Sequence, residues 1–87
     1  MKVLKYPLEK KHRQTVMLPA DGEIVAVQAQ HDCCTVWVQT RSPENITPRA
    51  FVCAFTGDEL PEKLRYRGTC QFHDGSTVVH VYEELVV

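Results

Sequence analysis

His31-Asp32-Cys33-Cys34-Thr35-Val36-Trp37-Val38 sets a polar tip in front of a β-branched run, and His73-Asp74-Gly75-Ser76-Thr77-Val78-Val79-His80 repeats the pattern with four identities at an offset of 42. A short polar tip feeding a Thr-Val run is how a tight antiparallel hairpin reads in sequence. Outward from the first tip, Glu23 to Gln30 alternates Val25, Val27 and Ala29 against Ile24, Ala26, Gln28 and Gln30. Beyond it, Cys34, Val36 and Val38 alternate with Thr35, Trp37 and Gln39, as a two-residue side-chain period requires. Around the second tip, Tyr66, Gly68, Cys70 and Phe72 are expected inward and Arg65, Arg67, Thr69 and Gln71 outward. The last strand then separates Val78, His80 and Tyr82 from Thr77, Val79 and Val81.

The rest of the chain fits the same scheme. Arg49 to Thr56 is apolar on both faces and reads as a central strand, while Lys2 to Tyr6 is a short edge strand ended by Pro7, which cannot donate to a ladder. Leu8 to Arg13 is charge-rich and reads as a solvated connection before a strand over Gln14 to Leu18. Turn chemistry marks Leu18 to Gly22 and Gly57 to Lys63, and Arg41 to Pro48 reads as a loop of about eight residues. The expectation is one all-β domain over 1–87: an antiparallel meander of six or seven short strands, forming a curled sheet, a small barrel or a sandwich completed by a second subunit.

Composition bounds what such a domain does. A chain of 87 residues hides only about 60–65% of its unfolded surface, so a thin core and homo-oligomerisation are expected. Leu85-Val86-Val87 adds an apolar segment suited to docking on a second copy. Ten Lys and Arg against eleven Asp and Glu give a net charge of -1, which argues against duplex nucleic acid as a partner but leaves a small anion open. The N-terminal stretch is broken by charge and proline, and no apolar run approaches the roughly 18 residues of a membrane span, so a cytosolic protein with free thiols is expected.

The chemistry-bearing residues are few. Cys33 and Cys34 are adjacent, and Cys53 and Cys70 stand alone in their strands, whereas structural zinc sites use ligand pairs two to four residues apart; no metal and no cofactor are expected. Arg65 and Arg67 are expected side by side about 7 Å apart on one strand face, a geometry that suits a polyanion such as a nucleotide diphosphate. His73 and His80 flank one turn, and Trp37 offers an indole to a purine.

Lys5-Tyr6-Pro7-Leu8, Gln14-Thr15-Val16 with Leu18-Pro19, Ile24-Val25-Ala26-Val27-Gln28, the single Trp37, Phe51 before Thr56-Gly57, and Tyr66-Arg67-Gly68-Thr69-Cys70-Gln71 leading to Val79-His80-Val81-Tyr82-Glu83 follow one another in an order that resembles a family of small bacteriophage and prophage proteins of unknown function. The chain departs from that pattern at the first tip, where His31-Asp32-Cys33-Cys34 replaces an Asn- or Gly-containing turn. The resemblance implies a non-enzymatic accessory protein acting in the host cytoplasm. Three functions follow as expectations. The first is sequestration of a host immune nucleotide signal, with Arg65 and Arg67 on phosphate and His80, Tyr82 and Trp37 around the base. The second is a protein-binding inhibitor or structural accessory using an exposed sheet edge, and the third is a small phosphodiesterase or nuclease using His31, His73 or His80.

Overall fold

A β-branched, alternating chain buries its apolar faces by stacking sheets, and this one stacks two. The computed structural model describes residues 1–85, which form β1 (Lys2–Pro7), β2 (Arg13–Pro19), β3 (Glu23–Gln30), β4 (Cys33–Thr40), β5 (Ile46–Phe55), β6 (Leu64–Phe72) and β7 (Thr77–Glu84), with a single 3-10 turn at His73–Gly75. All pairings are antiparallel, in a three-stranded sheet of order β1-β4-β3 and a four-stranded sheet of order β2-β5-β7-β6. Leu18, Phe51, Cys70 and Val81 from the larger sheet meet Val27, Cys34, Val36 and Val38 from the smaller one, and Leu8 closes the core from the β1–β2 connection. Along one side β3 lies against β6.

The expected all-β domain is therefore present, but a simple meander is not. Only β3–β4 and β6–β7 are hairpins of sequence neighbours; β1 crosses to β4 and β2 to β5. Both hairpin tips begin with a left-handed His-Asp pair, but the second is longer: Phe72 pairs with Thr77, leaving the four residues 73–76, with Gly75 also at positive φ (89°). His31 and Asp32 both have positive φ (50° and 63°), as do His73 and Asp74 (52° and 54°); in the first tip this gives the two-residue turn whose twist matches the right-handed twist of the flanking strands. Cys33 belongs to β4, where it faces Gln30, so the first tip is two residues long. Holding two non-glycine residues left-handed costs about 1 kcal/mol each. Replacing the tip by Asn-Gly (His31→Asn, Asp32→Gly) is expected to stabilise the fold by about 1 kcal/mol, raising Tm by roughly 4–8 °C in a thermal melt.

Three prolines lie inside strands, and the ladder explains why they fit. The Leu8 amide donates to the Cys34 carbonyl (2.8 Å), so even-numbered residues of β1 bond β4 and Pro7 turns its missing N–H away. The Cys53 amide donates to the His12 carbonyl (2.7 Å) and Ala20 to Asn45 (2.8 Å), which sets even residues of β2 and odd residues of β5 into their shared ladder. Pro19 and Pro48 again fall on the other side. Because Pro48 is tolerated, β5 begins at Ile46, and the expected loop shortens to 41–45.

Two bulges overturn parts of the expected alternation. Between Ile24 and Ala26 the register of β3 shifts, so Ile24 and Val27 pack on the core while Val25 is left exposed. A second shift between Tyr66 and Gly68 puts Tyr66 on the outer face opposite Tyr82 and turns Arg67 toward Glu83.

Candidate functional site

Arg67 is held by a carboxylate that sequence reading did not single out. Glu83 is buried, and its Oε1 accepts from Arg67 Nε (3.0 Å) and Nη2 (2.6 Å), while Arg49 reaches Oε2 through Nε (2.6 Å) and Oε1 through Nη2 (2.9 Å). Arg49 also donates through Nη1 to the Gly22 carbonyl (2.8 Å), tying β5, β6 and β7 to the β2–β3 turn. Burial alone raises the Glu83 pKa, but the hydrogen bonds and charges of the two arginines outweigh it and hold the carboxyl below its usual range. Arg67 is thus committed to the fold, whereas Arg65 is exposed and makes no ion pair with another described residue. The expected pair of free guanidinium forks is not formed.

His80 and Tyr82 do come together, on the outer face of the larger sheet. His80 Nδ1 lies 3.1 Å from Thr69 Oγ1 and its Nε2 lies 2.9 Å from Thr56 Oγ1, and Thr69 in turn bonds the Tyr66 hydroxyl. Tyr82 meets Tyr66 edge-on, with centroids 5.5 Å apart. Trp37 is elsewhere: it sits on β4 of the smaller sheet, in register with Lys5 and Ala26. The five expected ligand residues are therefore spread over two sheets.

A cleft of about 660 Å³ opens at the end of the sandwich where both hairpin tips and the β1–β2 connection converge. Its lining includes Leu8, Cys34, Cys53, Phe72 and Val79 from the core, with Phe55, 60% exposed, beside them. Around these stand Lys10, Lys11, His12 and His73, together with Glu9, Asp32 and Asp58. Two of the three carboxylates are already engaged: Glu9 pairs with Lys11 (2.9 Å) and Asp58 accepts the Phe55 amide (2.9 Å). His12 Nδ1 is 3.0 Å from the Cys53 carbonyl, which can only accept, so Nδ1 carries a proton and Nε2 is left for a ligand. Volume, apolar lining and a few polar groups are the properties of a small-molecule site.

The thiols in this cleft are not poised as nucleophiles. Burial pushes the Cys34 and Cys53 thiols up, and neighbouring Cys70 adds to the rise in both. All four cysteines are free, and among the described residues no group of three or more His, Cys, Asp or Glu is placed to hold a metal ion. Sequence reading missed the cleft because it took Leu8–Arg13 for a solvated connection; the signal was Leu8 itself, an apolar residue that is only 3% exposed amid five polar ones.

These features define a small two-sheet β-sandwich with an open end cleft. The chain belongs to the family described as a domain of unknown function (DUF7352), whose model matches residues 1–86. No curated protein and no solved structure matches it. Among the described residues, no helix is long and apolar enough to cross a membrane.

Proposed function

We propose that this protein is a non-enzymatic binder of a small nucleotide-like ligand, and that the end cleft is where it binds. The observation that carries the reading is the meeting, in one opening, of an apolar lining that includes Phe55 and Phe72 with Lys10, His12 and His73. A base slides over the aromatic edges, the phosphate takes the Lys10 ammonium and an N–H of His73, and His12 Nε2 accepts from a base amino group or a sugar hydroxyl. The site differs from the arginine pair expected from sequence, and the ligand class stays the same. Resemblance to bacteriophage proteins supports the further step that the ligand is a host immune nucleotide signal, held without being cut in the host cytoplasm. Edge-strand pairing is supported by a separate observation, the unpaired side of β2.

Equilibrium dialysis against AMP, ADP and a cyclic dinucleotide tests this reading. Lys10→Ala with His73→Ala is expected to weaken binding tenfold or more, since each charge-assisted contact contributes about 1.5–3 kcal/mol. Arg65→Ala should change it less than threefold. The recovered nucleotide should keep its mass. Failure of all three probes to bind at millimolar concentration, or recovery of a cleaved product, overturns the proposal.

A further inference from the structure

The two sheets leave four edges, and they are not alike. β3 and β6 cover one another: a Cβ built on Gly68 of β6 would stand 2.6 Å from Val27 Cβ of β3. β1 carries Lys2 and Lys5 and ends in Pro7, devices that discourage further pairing. β2 has no such protection between its ends. Its charge and its proline are at the termini, Arg13 and Pro19, and the intervening Gln14-Thr15-Val16-Met17-Leu18 is uncharged, with Met17 49% exposed.

The ladder parity fixes what this edge offers. Even residues of β2 bond β5, so the amides and carbonyls of Arg13, Thr15 and Met17 point to the side where β2 has no strand neighbour among the described residues. We infer that β2 pairs antiparallel with β2 of a second copy about a two-fold axis through Val16. A two-fold axis perpendicular to the sheet keeps inner faces aligned with inner faces, so only residues of equal parity stand opposite each other. Centring at Val16 satisfies this and opposes Thr15 to the partner's Met17 and Met17 to the partner's Thr15, each a hydrogen-bonded pair, giving four backbone bonds. Val16 meets the partner's Val16 in the closer, non-hydrogen-bonded position, on the face that already packs against the core. Arg13 faces the partner's Pro19, so no like charges oppose. The same segment is complementary to itself, which is why the partner is a second copy of this chain, and the result is one eight-stranded sheet across the dimer.

Sedimentation equilibrium over a range of protein concentrations, with amide hydrogen exchange, tests the pairing on the full chain. The wild type should form a dimer in which the Thr15 and Met17 amides gain protection with concentration while Val3 and Lys5 do not. Met17→Lys sets two new cations near the axis without touching the β5 ladder, and is expected to raise the dimer dissociation constant tenfold or more. Thr15→Pro removes a donor the monomer does not use, and should do the same while the far-UV spectrum is kept. A wild type that stays monomeric to millimolar concentration overturns the inference. So does a dimer unmoved by Met17→Lys, or one protected at Val3 and Lys5 instead.

Discussion

Glu83→Ala is expected to cost about 3–5 kcal/mol, because it leaves the guanidinium groups of Arg49 and Arg67 buried without a counter-charge. Both arginine side chains are less than a fifth exposed, at 13% and 19%, so water cannot replace the carboxylate cheaply. In a domain of this size such a loss lowers Tm by roughly 12–40 °C, at the upper end enough to unfold the protein near physiological temperature. Glu83→Gln keeps the shape and one acceptor and should fall between wild type and Glu83→Ala. Thermal melts of both variants decide the matter, and a Glu83→Ala variant within 1 kcal/mol of wild type would remove this node from the account. The same group gives a pH dependence of definite sign. The folded pKa of Glu83 lies below its unfolded value, so the stabilisation is present above the unfolded pKa of about 4.5 and is lost as pH falls through the folded value. Chemical denaturation at pH 7 and in the acid range should show Glu83→Gln flattening the acid limb of the stability curve.

Gly68→Ala is expected to cost about 2–3 kcal/mol, the upper range for overpacking, with a fall in Tm of roughly 8–24 °C. The new Cβ would lie 2.6 Å from Val27 Cβ and 3.2 Å from its Cγ2. A Cβ is fixed by the backbone, so no rotamer of Val27 relieves the contact and β3 must move off β6. Glycine at 68 is thus required by close approach between the sheets and not by its dihedral angles. Combining Gly68→Ala with Val27→Gly removes the opposing atom, and the double variant should be less destabilised than the sum of the two single changes. Additive losses in that cycle would show that the contact is not the cause.

How much of this was legible in the sequence follows from the range over which each feature acts. The two hairpins could be read directly, because a short polar tip in front of a β-branched strand is a local pattern, although both tips hold His and Asp left-handed at a cost and only the first is a two-residue turn. The centrality of the fifth strand was legible too, since Phe51 and Val52, on opposite faces, are both fully buried. The bulges were not. One extra residue in β3 and one in β6 reverse the face of everything on one side of them, and nothing in Ile24-Val25-Ala26 or Tyr66-Arg67-Gly68 announces the shift. For that reason Tyr66 was expected inside and is outside, and Arg67 was expected free and is neutralised by Glu83.

The all-β class and the two hairpins follow from the sequence alone, because they depend on alternation and on turn-residue preferences within a few positions. The tertiary structure alone decided the strand order, the partners of Glu83 and the existence of the cleft. Leu8 and Cys34 are 26 residues apart, Cys53 and Phe72 further along still, yet all four line one opening. Contacts across such separations are fixed by which edge each strand finds free when the sheets stack, and a one-dimensional pattern of apolar and polar residues carries no record of that choice.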